Sequence, residues 1–150
     1  MKQVSCTLLF IVFLQALGVA QSARDSVLKT VHQLFEGMQK ADTSLLKNCF
    51  AENAVLQTIQ EKNSITKVKD ESITNFIAFI GKESPGAADE QIIVESVMIN
   101  GPLASVWTPY KFYYKGKFSH CGINSFQLVR IGHQWKIQYL IDTRRKNGCE

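Results

Sequence analysis

The spacing of apolar residues changes once along the chain, and this change predicts the order of the elements. Between Arg24 and Ala41 apolar residues recur at helical spacing and form one face of a 3.6-residue period. That face consists of Val27, Leu28, Val31, Leu34, Phe35 and Met38. The pattern therefore predicts an amphipathic helix from Arg24 to Ala41.

Two shorter helices are predicted after the first. Asp42 or Thr43 is a suitable N-cap for a helix through Phe50, and Asp70 or Ser72 for a third helix that ends before the turn residues Ser84-Pro85-Gly86. Between these helices, Ala54 to Ile59 has strand character, whereas Gln60 to Lys69 is polar and is interpreted as a loop.

From Glu90 onward the period becomes two, which is typical of strands. Four strands are predicted: Gln91–Ile99, Leu103–Tyr114, Lys117–Ile131 and Gln134–Thr143. Helices followed by an antiparallel meander indicate an α+β fold with helices on one sheet face. The other face is then open to water or to a partner chain.

The longest hairpin supplies the candidate pocket. A three-residue connection with Gly116 left-handed sets Tyr113 opposite Lys117 and Tyr110 opposite His120. The predicted inner face consists of Tyr110, Phe112, Phe118, His120, Asn124 and Phe126. A bulge at Pro109 would turn Trp107 inward, and Gly122 leaves a gap, so the hairpin predicts the curved wall of a pocket.

Residues 1–22 have a different composition from the rest. Lys2 precedes an apolar core from Thr7 to Leu14, and small residues follow at Ala20-Gln21-Ser22. This pattern predicts a secretory signal peptide, because its core is too short to span a membrane. We therefore expect an exported protein, periplasmic or secreted, with one domain over residues 23–150 and no membrane attachment after cleavage.

Charge and cysteine content narrow the function classes. Without Lys2 the net charge falls from 17 − 13 = +4 to 16 − 13 = +3, and basic residues cluster only at Arg144-Arg145-Lys146, which argues against nucleic-acid binding. The spacing of Cys49, Cys121 and Cys149 does not match a zinc site, so no metal is expected. A disulfide between Cys121 and Cys149 is a candidate, and the odd count leaves one thiol over.

Several motifs resemble the nuclear transport factor 2-like superfamily, nearest its exported, polyketide-cyclase-like bacterial branch. They are Trp107-Thr-Pro-Tyr-Lys-Phe, Phe118-Ser-His-Cys-Gly, Trp135-Lys-Ile and Asp142-Thr-Arg-Arg. The resemblance implies a cone-shaped fold in which three N-terminal helices pack on a curved antiparallel sheet and enclose a pocket. It also implies a homodimer through the open sheet face. Where the family has His and Asp after the second helix, this chain has Ala51 and Asn53.

Candidate chemistry centres on His120, because an imidazole titrates near neutral pH and can act as a general acid or base. Asp142 is the second candidate, either as a group that orients His120 or as an ion-pair partner of Arg144 or Arg145. The candidate ligand-binding residues are Trp107, Tyr110, Phe112, Asn124, Phe126 and Tyr139.

Two functions fit this pattern. The first is a non-catalytic protein that binds a small apolar or carbonyl-containing ligand in the pocket. The alternative is a cofactor-free isomerase, dehydratase or cyclase that uses His120 as its acid or base. The small number of titratable side chains predicted to face inward favours the binding protein.

Overall fold

A computed structural model describes residues 23–62 and 64–149 of the chain. The predicted signal peptide, residues 1–22, lies outside the described residues. None of the helices within the described ranges has the length and hydropathy needed to cross a bilayer.

The described residues contain three helices, at positions close to those predicted. The first is helical over residues 23–40 (α1), and it is followed by α2, Thr43–Cys49, and α3, Ile73–Ile80. Asp42 caps α2 by accepting from the backbone N–H groups of Ser44 and Leu45, each at 2.9 Å. Ser72 caps α3 in the same way.

Seven strands form one curved, unclosed sheet: β1, Phe50–Lys62; β2, Ile65–Glu71; β3, Ala88–Ile92; β4, Ser96–Asn100; β5, Leu103–Tyr114; β6, Lys117–Ile131; and β7, Gln134–Thr143. Their order is β2-β1-β7-β6-β5-β3, with β4 also paired to β5. The α+β class is confirmed. The prediction of a purely antiparallel sheet is wrong, because β1 runs parallel to β7. The three helices also do not all precede the sheet, because β1 and β2 come before α3 in the chain.

The prediction of a loop for the polar segment Gln60–Lys69 is wrong. This segment forms most of a long β1–β2 hairpin. Its pairs run from Leu56 with Glu71 to Lys62 with Ile65. Almost every residue of β2 is exposed to solvent. A strand exposed on both faces has no apolar alternation, so a search for period two cannot detect it.

The predicted strand Gln91–Ile99 is divided into β3 and β4 opposite Pro109. The carbonyl of Pro109 accepts from Ile93 N–H at 2.9 Å, but proline has no N–H to return the bond. The edge strand is therefore interrupted between Ile92 and Ser96. Pro109 itself stays in register with Ile123, so no bulge turns Trp107 inward.

The predicted register of the β5–β6 hairpin is wrong by two residues. The turn has two residues, Lys115 at φ 52° and Gly116 at φ 75°, and an irregularity follows between Phe112 and Tyr113. The N–H of Lys115 donates to the Ala87 carbonyl at 2.7 Å, which ties the turn to the residue before β3.

On the side of this bulge away from the turn, the residues on the inner face of the hairpin are nevertheless those predicted. Phe112 pairs with His120 and Tyr110 with Gly122. A shift of two residues preserves the faces of a strand, since its side chains alternate with a period of two. Phe118 lies between turn and bulge, so it faces outward, where its ring meets that of Tyr113.

The core lies between the inner sheet face and the three helices. Its fully buried side chains include Val27, Leu34, Leu46, Phe126, Leu128 and Ile137. Phe35 of α1 meets Phe126 of β6 edge to face, with ring centroids 6.1 Å apart. This packing fixes the height of α1 above the sheet.

The residues after β7 are tied to β6. Arg145 and Cys121 exchange two backbone hydrogen bonds of 2.9 Å, and a disulfide joins Cys121 to Cys149. The candidate disulfide is therefore present, and Cys49 is a buried free thiol. Burial raises the pKa of Cys49 to about 11, which keeps the thiol protonated and unreactive.

A glycine is required at position 122, because the backbone of Thr143 and the ring of Tyr110 lie too close to leave room for a side chain. A Cβ at this position would overlap the Thr143 carbonyl oxygen and lie 2.9 Å from Cε1 of Tyr110. The gap predicted at Gly122 is thus filled by a backbone carbonyl and an aromatic ring.

We expect Gly122→Ala to lower the free energy of unfolding by about 3 kcal/mol or more, because overpacking here displaces backbone rather than a flexible side chain. Urea unfolding of the purified protein measures the effect. Ser125→Ala, on the same strand but the opposite face, is the control and should change stability by about 0.5 kcal/mol at most. Equal stabilities for Gly122→Ala and the control would show that the close approach is not required.

Candidate functional site

A cavity of about 390 Å³ lies between the inner sheet face and helices α1 and α3. Much of its wall is apolar, formed by Leu34, Phe35, Met38, Phe50, Leu56, Phe76, Phe79, Ile80, Phe112 and Leu140. The remaining lining is polar: Glu71, Asn75, Glu90, Tyr110, His120, Asn124, Asp142 and Arg144. An apolar cavity with a few converging polar groups is the usual form of a small-molecule site.

A row of four polar residues crosses four neighbouring strands on the inner face. Strand register places Thr108 opposite Asn124, Asn124 opposite Asp142, and Asp142 beside Thr58. All four are buried, with at most 6% of their surface exposed. The Thr108 hydroxyl has no hydrogen-bond partner among the described residues.

Asp142 is the centre of this row. One carboxylate oxygen accepts from the Thr58 hydroxyl at 2.5 Å. The other accepts from the Tyr110 hydroxyl at 2.9 Å and from Nε of Arg144 at 2.8 Å. A buried carboxylate needs such donors to offset its lost hydration. The predicted Arg144 ion pair is present, whereas Arg145 contacts the Gly148 carbonyl instead.

Glu90 of β3 reaches the same end of the cavity. Its carboxyl accepts from Nδ2 of Asn124 at 2.8 Å. Loss of hydration raises the pKa of Glu90 to about 7, and the nearby charge of Asp142 acts in the same direction. Asn124 opposes the rise through its hydrogen bond. Glu90 therefore exchanges its proton near neutral pH.

His120 lines the cavity between two aromatic rings. Its ring centroid lies 5.1 Å from that of Phe112 and 5.7 Å from that of Tyr110, and Nδ1 is 3.0 Å from the Ser119 hydroxyl. Burial, and then the charge of Arg144, lowers the pKa of His120. No hydrogen bond joins His120 to Asp142 within the described chain, so the two do not form an acid–base pair here.

The structure gathers five of the eight predicted site residues at the cavity: Tyr110, Phe112, His120, Asn124 and Asp142. The other three lie elsewhere. Trp107 is on the outer face and 42% exposed, and Phe126 is fully buried in the core. Tyr139 also leaves the cavity, because a register irregularity between Gln127 and Leu128 directs it toward the Gln57 side chain, which its hydroxyl contacts at 2.7 Å.

Glu90, Arg144 and Thr58 were missed as site residues. Glu90 stands two residues before Ile92, so extending the period-two pattern by one step would have put it on the inner face. Arg144 has the same parity as Asp142 and could have been found likewise. Thr58 has no local signal, since its place depends on the parallel pairing of β1 with β7.

The described residues contain no group of three His, Cys, Asp or Glu side chains arranged to hold a metal ion. The polar end of the cavity is suited to binding through hydrogen bonds, with carboxyl, amide, hydroxyl and guanidinium groups already held in place by one another.

Comparison with known proteins identifies the fold and a family. A family model described as "Putative lumazine-binding" matches residues 22–138. A comparison with curated proteins gives no match.

Two bacterial proteins of known structure share this fold. A nuclear transport factor 2-like protein of unknown function from Shewanella baltica shares 15% identity and has a TM-score of 0.66, covering 84% of this chain and 96% of its own. Another such protein, with a cystatin-like fold, from Novosphingobium aromaticivorans shares 12% identity and has a TM-score of 0.69, covering 90% of each chain. The predicted nuclear transport factor 2-like fold is confirmed.

The raised pKa of Glu90 predicts a pH-dependent stability. Between the ordinary Glu pKa of 4.5 and the folded value of about 7, the folded protein holds a proton that the unfolded chain has lost. The free energy of unfolding should therefore fall as pH rises through this window.

Urea unfolding of the wild-type protein and of Glu90→Gln at a series of pH values measures this effect. The stability of the wild type relative to the variant should decrease with rising pH. Asp89→Asn, a neighbouring carboxyl on the other face of β3, should leave the wild-type slope unchanged. Parallel profiles for the wild type and Glu90→Gln would refute the assignment.

Proposed function

The chain belongs to the Putative lumazine-binding family, and on that premise we propose that it binds a small, planar nitrogen heterocycle of the lumazine kind in its cavity, without catalysing a reaction. The observation that carries the proposal is the combination of a largely apolar cavity of about 390 Å³ with one hydrogen-bonding end. Cavities of roughly 300–1,000 Å³ are usual for small-molecule ligands.

The two kinds of wall have separate tasks in this proposal. The rings of Phe76 and Phe112 and the side chain of Leu140 cover the faces of the heterocycle and exclude water. Glu90 and Asn124 form hydrogen bonds to its polar edge. Because a hydrogen bond already joins these two groups, little side-chain freedom is lost when the ligand binds.

Binding fits the geometry better than acid–base catalysis through His120. Nδ1 of His120 contacts the Ser119 hydroxyl, whereas the group expected to orient the imidazole was the carboxylate of Asp142. That carboxylate is bonded instead to Thr58, Tyr110 and Arg144.

We further propose a mature form that is exported after removal of residues 1–22 and that dimerises through the outer sheet face. The Cys121–Cys149 disulfide supports export, because disulfides persist in oxidising compartments. Exposed Met98 and Trp107 support an interface on the outer face. Intact mass and sedimentation of the protein expressed from the full-length chain test both: a chain that stays uncleaved inside the cell would refute export, and a monomer at high concentration would refute the dimer.

Filling the cavity should abolish binding. Leu56 lines the cavity, whereas Val55, the preceding residue of β1, is 43% exposed on the opposite face. We expect Leu56→Trp to weaken lumazine binding by at least about tenfold, equivalent to about 1.4 kcal/mol, and Val55→Trp to leave it within about twofold. Titration followed by lumazine fluorescence measures both.

Two results would contradict the proposal. Absence of saturable lumazine binding to the wild type would reject the ligand class. Equal effects of the two tryptophan substitutions would place any binding outside the cavity. Circular dichroism and thermal unfolding of each variant establish that the comparison is made between folded proteins.

A further inference from the structure

The polar end of the cavity holds more carboxyl groups than cations. Three carboxyl residues line it, Glu71, Glu90 and Asp142, whereas among the described lining residues Arg144 alone carries a permanent positive charge. Nε of Arg144 donates to Asp142, and Glu71 pairs with Lys69 at 2.8 Å. Glu90 forms no ion pair among the residues that the structure describes, and the charge of Arg144 offsets only part of the rise in its pKa.

The other titratable groups around Glu90 do not supply a compensating positive charge. Burial, and then the charge of Arg144, lowers the pKa of His120 and so disfavours its charged form. Burial, and then the charge of Asp142, raises the pKa of the Tyr110 hydroxyl, which stays neutral and donates to Asp142. A second uncompensated carboxylate beside Asp142 would be unfavourable in this apolar setting.

The Glu90 carboxyl also has hydrogen-bonding capacity left over. Oε1 accepts from Asn124, while the described part of the chain offers Oε2 no donor. A neutral carboxyl presents an O–H donor beside a carbonyl acceptor, whereas a carboxylate presents acceptors only. An N–H group next to a C=O group, the edge of a cyclic imide or lactam, complements the neutral form. The ionised carboxylate would place an acceptor oxygen against the carbonyl oxygen of that edge, and no hydrogen bond could form between them.

We infer that Glu90 is the residue that determines ligand class at this site, and that it acts as a neutral carboxylic acid. Its O–H donates to a ring carbonyl, and its C=O accepts from the adjacent ring N–H of a cyclic imide or lactam. Asn124 holds the carboxyl in place. This inference rests on the proposed function, since it specifies the edge of the heterocycle that lies at the polar end.

The proton needed for this role is available under ordinary conditions. Because burial raises the pKa of Glu90 to about 7, most molecules are protonated at about pH 6 and only about a tenth at about pH 8. Ligand affinity of the wild type should accordingly fall by about tenfold between these two pH values.

Glu90→Gln provides a sharp test, because the glutamine amide has the same shape as the neutral acid and likewise presents one donor side and one acceptor. We expect this variant to bind lumazine within about threefold of the wild type at pH 6 and about tenfold more tightly than the wild type at pH 8. Glu90→Leu, which has neither group, should bind at least about tenfold more weakly at both pH values. Comparing proteins at one pH cancels any ionisation of lumazine itself.

The outcomes separate this inference from the proposed function. If the wild type binds lumazine but Glu90→Gln loses at least about tenfold, the site needs a carboxylate and the inference is wrong. The inference is equally wrong if Glu90→Leu binds as well as the wild type, since Glu90 then makes no contact. If no protein binds lumazine, the proposed function itself fails. Asp89→Asn, on the other face of β3, should follow the wild type throughout.

Discussion

A buried carboxylate must be surrounded by donors, and in this protein two of the three donors of Asp142 come from distant parts of the chain. Thr58 reaches it from β1, Tyr110 from β5 and Arg144 from the segment after β7. An unpaired charge at this depth would be strongly destabilising, so the three segments are held together. The curvature of the inner face and the position of the polar end both depend on this arrangement.

The same arrangement decides what chemistry remains for a ligand. Asp142 uses the hydroxyl of Tyr110 and the charge of Arg144, so neither is left as a free partner for Glu90. Gly122 makes this distribution feasible, because the absence of a side chain lets the Tyr110 ring lie across β6 and reach the carboxylate. The site thus has two parts. The ion pair of Asp142 with Arg144 maintains its shape, and the carboxyl of Glu90 is available to bind a ligand.

Local patterns predicted a large part of this fold. The helix after residue 23, the extents of β5, β6 and β7, and five cavity residues follow from periodicity, since each depends on neighbours in sequence. The β5–β6 register was less predictable: a two-residue turn with a nearby bulge and a three-residue turn differ by a single residue. Thr58 and the parallel β1–β7 pairing lay beyond prediction, because they are set by contacts between remote segments rather than by local composition.

The remoteness of these contacts affects how the protein acquires its binding site. The hydrogen bond between Thr58 and Asp142 spans 84 residues, and it forms only when β1 and β7 meet. Such non-local pairing tends to be late and slow in folding, because a long chain segment must be ordered before the contact exists. The helices and the β5–β6 hairpin can assemble beforehand, but the polar end of the cavity cannot. The polar end of the cavity therefore exists only when β1 and β7 are paired, and a ligand that occupies the cavity stabilises the fully folded chain over any partly folded one.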